Sequence, residues 1–140
     1  MNAKEYLQNL KKLDTVIDQK TKELDNLKTM STSIGSFDYS TDRVQTSSDG
    51  DAPFVKTIEK ICELQDEINR EIYQFVDKKH RIINQIQGLS KPKYIDVLFR
   101  RYVEYKSFET IAVEMALSYQ YVIEIHGYAL QEFEKTYKNI

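Results

Sequence analysis

The chain has 140 residues, a formal charge of -2, two prolines, four glycines and no tryptophan. That length suits one compact domain or two small units, and the near-neutral charge excludes strong global steering toward nucleic acid. A lone cysteine, Cys62, excludes an intramolecular disulfide framework and favours a reducing, cytoplasmic setting.

The opening MNAKEYLQNLKKLD is amphipathic and charged, which does not read as a signal peptide. No stretch approaches the ~18–20 apolar residues that span a bilayer, so no membrane partner is expected. Over residues 2–30, Leu10, Ile17 and Leu24 recur at sevens, as do Leu13 and Leu27 with Lys20 between them, and Tyr6 starts that second row. This is a heptad pattern of a long helix.

Residues 31–53, STSIGSFDYSTDRVQTSSDGDAP, lose the period and are rich in Ser, Thr, Asp and Gly. Composition predicts a long polar loop. Its DGD tripeptide lacks the spacing of a calcium loop, so no metal is expected.

Periodicity returns over 54–87. Asp51 or Ala52 is placed to cap, with Pro53 in the first turn. Ile61, Ile68, Phe75 and Ile82 recur at sevens, and Ile58, Leu64, Ile72, Ile83 and Ile86 widen the stripe. The economical partner is the first helix, giving an antiparallel coiled-coil hairpin over residues 1–88. The wide stripe predicts a second partner, either the C-terminal unit or another copy of the chain. Cys62 is expected on the apolar side as a buried, inert thiol, and His80 in solvent.

Gly88 followed by Leu-Ser-Lys-Pro reads as a helix stop. Beyond it, residues 89–140 carry three helical patterns. The first runs from about Pro92 to Val103, with Tyr94, Ile95, Leu98, Phe99 and Tyr102 available for burial. Ser107 is placed to cap the second, whose inner face is Phe108, Ile111, Ala112 and Met115. Ala116 and Leu117 make a turn, and Ser118 is placed to cap the last helix, where Val122, Ile125, Ala129, Leu130 and Phe133 repeat at threes and fours. The whole is an all-α chain, a long helical hairpin followed by a three-helix unit of helix-turn-helix pattern.

The segment YIDVLFRRYVEYKSFETIAVEMALSYQYVIEIHGYALQEFEK is similar to region 4 of the sigma-70 family, the domain that reads the promoter −35 element. The shared pattern is an apolar-Arg-Tyr helix end, then S-x-E-x-I-A, L-S-x-x-x-V-x-x-x-H and A-L-x-x-F, between Lys91 and Tyr137. The whole chain also resembles a family of small phage and prophage proteins with sigma-like C-termini, some of them positive regulators of late genes.

The resemblance implies double-stranded DNA as partner, and RNA polymerase as a second. It puts base reading on Tyr119, Gln120, Ile123 and Glu124. Gln pairs bidentately with adenine and Glu accepts from cytosine, whereas Ile123 offers only apolar contact. Ser107 matches a phosphate-contacting position at a helix start, where free N–H groups favour an anion; Ser118 takes the same place on the last helix. Lys91, Lys93 and Arg100 are the further phosphate candidates, within a cationic cluster that also holds Lys78, Lys79, Arg81 and Arg101. A solvated ion-paired face, such as Arg101 with Glu104, is the plainer reading of that cluster.

Electrostatics temper this expectation. Over residues 89–140, seven basic side chains face seven acidic ones, whereas a domain neutralising many phosphates usually carries a basic excess. A homo-oligomer or attachment to polymerase would compensate. The competing readings are a protein-interaction module that keeps the fold without DNA, and a DNA-packaging accessory factor. No nucleophile, paired acids or phosphate loop suggests an enzyme or a cofactor, and neither His126 nor His80 has a metal-ligand partner at ligand spacing.

Overall fold

A computed structural model describes residues 2–41 and 48–139, with side chains for 2–33 and 55–139. It is helical, in the order α1 (Ala3–Thr41), α2 (Ser48–Gln87), α3 (Pro92–Leu98), a π-helical segment (Phe99–Val103), α4 (Phe108–Met115) and α5 (Tyr119–Thr136). Among the described residues no helix is long and apolar enough to cross a membrane.

Both ends of the loop expected over 31–53 are helical. Residues 31–41 continue α1, and α2 begins at Ser48 rather than after Asp51 or Ala52; residues 42–47, and the loop reading for them, lie outside the described residues. Extending an existing helix costs a poor helix former only tenths of a kcal/mol per residue, about 0.5 for Ser or Thr. The threonines nearby do not compete with the helix either. Thr29 Oγ1 donates to the Asp25 carbonyl and Thr32 Oγ1 to the Lys28 carbonyl, each at 3.0 Å.

The chain divides into two compact units, one made of Met1–Thr15 with Val76–Ile140 and the other of Val16–Phe75. Within the second, Leu24, Ile61 and Ile68 are buried, and Lys20 Nζ meets Glu71 Oε2 at 2.6 Å. That carboxylate holds the Lys20 ammonium pKa above its ordinary value. Cys62 is exposed, contrary to expectation. It lies ~100° around the helix from buried Ile61, enough to leave the apolar stripe.

In the first unit, Ala3, Leu7 and Leu10 of α1 pack in one core with Ile82 and Ile86 of α2, Leu89, Leu98, Tyr102, Ala129 and Phe133. The core therefore crosses the helix stop at Gly88, and the wide stripe of α2 finds its second partner in the C-terminal helices. The α1 and α2 segments run antiparallel here: Tyr6 donates to Gln85 Oε1 at 2.6 Å, and Asp14 pairs with Lys79 at 2.6 Å. Gly88 does not adopt a left-handed backbone. What it supplies is space, because a Cβ there would lie 2.5 Å from the Tyr137 hydroxyl, which donates to the Gln85 carbonyl at 2.8 Å.

A smaller core joins Val97 of α3, Ile111 and Ala112 of α4, and Val122 and Ile125 of α5. The helix expected from Pro92 to Val103 changes its winding after Leu98. Glu104 N–H reaches the Phe99 carbonyl at 3.1 Å, a five-residue closure. It ends at Tyr105, whose φ is 59°. Arg101 does not pair with Glu104. Its guanidinium donates to the Lys106 carbonyl at 3.1 Å and lies 4.3 Å above the Phe108 ring, while Glu104 pairs with Lys106 at 3.5 Å.

Candidate functional site

α4 ends in a Schellman arrangement. Leu117 N–H bonds the Ala112 carbonyl at 2.9 Å and Ala116 N–H the Val113 carbonyl at 3.2 Å, with Ala116 in the left-handed region at φ 56°. Ser118 then caps α5, its Oγ accepting from Tyr121 N–H at 3.1 Å. Ser107 caps α4 in the same way, accepting from Thr110 N–H at 3.2 Å. The hydroxyls of both serines are thus engaged in starting helices.

The 3.6-residue period sorts the first turns of α5. Val122 and Ile125 face the core, and Tyr119, Gln120, Ile123 and Glu124 are all exposed on the other side. These are the four residues expected to read bases. Tyr119 keeps 47% and Ile123 37% of its surface in solvent, so the face is apolar and aromatic around one amide and one carboxylate.

Beside this face runs a groove of about 610 Å³, lined by Lys91, Pro92, Lys93 and Tyr94 at the start of α3 and by Tyr121, Glu124, Ile125 and Tyr128 of α5. Lys93 Nζ donates to the Tyr121 hydroxyl at 3.2 Å and lies 5.1 Å from the centre of its ring. Lys91 Nζ sits 5.2 Å from the Tyr94 ring centre. Lys91, Lys93 and Glu124 are therefore brought together in one groove. Its exposed ammonium groups and tyrosine hydroxyls can donate to an anionic backbone without breaking an ion pair to a carboxylate.

Arg100 is placed differently. Its guanidinium is ion-paired with Glu114, and Lys106 Nζ reaches the same carboxylate at 2.8 Å. Lys106 first, then Arg100, holds the Glu114 pKa below its ordinary value. For Arg100 to take a phosphate it must first give up this pair. Lys79 is likewise engaged, with Asp14. Nothing in the sequence flags the Arg100–Glu114 pair, because its members sit on different elements.

His126 lies half-buried between aromatic rings. The Tyr102 hydroxyl is 2.7 Å from its Nε2, and Phe108 meets its ring edge-on with centroids 4.9 Å apart. Burial, then the charges of Arg101 and Lys4, pushes its pKa down to about 4. Burial raises Tyr102 to about 12. The pair is a neutral, structural contact at physiological pH. His80, exposed as expected, meets Asn84 Nδ2 at 3.2 Å.

No family model matches the chain, and neither a curated protein nor a solved structure matches it.

Proposed function

We propose that this chain is a phage-type transcription regulator that binds promoter DNA through α4, its turn and α5, used as a sigma-like helix-turn-helix. One observation carries the reading. The start of α5 presents Tyr119, Gln120, Ile123 and Glu124 to solvent as one face, flanked by Lys91 and Lys93 in the adjoining groove. Gln120 is the base reader with the clearest chemistry, and the two lysines and the N-terminal N–H groups of α5 hold phosphates. The long helices act as an antiparallel coiled coil that pairs two copies or engages RNA polymerase in the cytoplasm. With Arg100 paired to Glu114, binding by a single copy is weak, and a second copy or polymerase supplies the missing contacts.

The test is selection from a random duplex pool at low salt, with and without bacterial RNA polymerase. An enriched motif is expected in at least one arm. Gln120→Ala should then relax one base position by about 1–3 kcal/mol. Lys93→Ala should weaken all sequences alike and reduce the salt slope by about 1. No enrichment in either arm overturns the reading.

A second reading is a protein-interaction module. The exposed Tyr119, Tyr121, Ile123 and Tyr128 favour it, since aromatic residues are enriched in interface cores. Under it, Tyr119→Ala and Ile123→Ala weaken partner capture while Gln120→Ala does not.

A further inference from the structure

A second recess lies in the first unit, away from the α5 reading face. It has a volume of about 350 Å³ and is lined by Leu7, Gln8 and Lys11 of α1, Arg101 and Tyr102 of the π-helical segment, and Tyr105. That volume is at the lower end of small-ligand sites. Two cations line it and no carboxylate does. Asp14, three residues beyond Lys11 on α1, is already engaged by the Tyr105 hydroxyl and by Lys79.

The walls are held in place. Arg101 is oriented by its bond to the Lys106 carbonyl and by the Phe108 ring beneath it, and Tyr102 by its contact with His126. Tyr105 lines the recess from a left-handed backbone, with φ of 59°. That conformation is a genuine outlier for a bulky residue, and such strain concentrates at ligand clamps and active sites.

We propose that the recess between Lys11 and Arg101 is a binding site for a phosphoryl group. The Arg101 guanidinium offers a planar fork that matches phosphate oxygens, Lys11 adds a mobile ammonium, and the Gln8 amide adds a neutral donor. The group comes either from a small phosphoester or from a nucleic-acid backbone, and the two share this chemistry. The site stands independently of base reading by α5.

The experiment is an NMR titration of the full chain with sodium phosphate, then pyrophosphate, at ionic strength held constant with chloride. Saturable shifts confined to the surroundings of Gln8, Lys11, Arg101 and Tyr105 are expected. Lys11→Gln should weaken binding about tenfold, the scale of one hydrogen bond to a charged group. Arg101→Lys keeps the charge but loses the fork and should also weaken it, while Lys12→Gln should not. In a second arm, a short duplex that moves the same resonances, and is displaced by pyrophosphate, assigns the group to nucleic acid. A duplex that leaves them unmoved, where pyrophosphate saturates, assigns it to a small phosphoester. Shifts that never saturate and spread over all exposed lysines, or an affinity unchanged by Lys11→Gln and Arg101→Lys, overturn the proposal.

Discussion

The Tyr105 hydroxyl donates to the Asp14 carboxylate, with the Leu10 carbonyl 3.2 Å away, and so ties the end of the π-helical segment to α1. Burial, then Asp14, raises the Tyr105 pKa, so the hydroxyl stays protonated as the donor. Tyr105→Phe keeps the ring and removes the tie. It should cost about 1 kcal/mol, seen as a lower urea midpoint with an unchanged slope. An unmoved midpoint would mean that water serves Asp14 equally well.

Leu7 has no solvent-accessible surface and packs with Ile86, Leu98 and Phe133. Leu7→Ala should therefore cost about 2–5 kcal/mol through lost burial and the cavity left behind. Because the core is shared, the loss should appear in α5 as well as α1. Amide exchange of Ala129 and Phe133 is the measurement. Protection of α5 that survives the substitution would show that the C-terminal helices hold together without α1.

Stability should depend on His126. Its pKa is about 4 in the folded chain against an ordinary 6.5, so between these values the unfolded state binds more protons. Stability contributed by the neutral ring is complete above pH 6.5 and falls as pH drops toward 4. His126→Phe keeps an aromatic ring and cannot protonate. It leaves the Tyr102 hydroxyl without its ring partner, so it should be less stable at pH 7, yet lose less stability than the parent between pH 7 and pH 5. Equal losses in urea unfolding at the two pH values would contradict this.

Gly127 lies exposed inside α5, and a Cβ there would meet nothing within 4 Å. Gly127→Ala should stabilise the chain by about 1 kcal/mol through helix propensity alone. Thermal unfolding would show it as a higher midpoint. If the same variant binds duplex DNA less well, the open space at Gly127 belongs to the docking face.

Most local features are written in the sequence. The threes and fours of α5, the caps at Ser107 and Ser118 and the end of α2 at Gln87 all appear where residue type and spacing put them. The exposure of Tyr119, Gln120, Ile123 and Glu124 follows from the same arithmetic, since a 3.6-residue period that buries Val122 and Ile125 must turn them outward. Composition misled at residues 31–41, where Ser and Thr suggested a loop. A helix already nucleated extends through such residues at small cost.

What the sequence leaves open is which charges are free and which segments share a core. Arg100 and Glu114 are 14 residues apart, and Tyr105 and Asp14 are 91 apart. Periodicity carries no information about such pairs, because it describes one helix at a time. Lys93 counts the same as Arg100 in a tally of charge. Only the tertiary structure sets one beside Tyr121 and the other against a carboxylate. Coulomb attraction falls off with distance in space rather than along the chain, so the folded arrangement decides which cation is left to meet a partner.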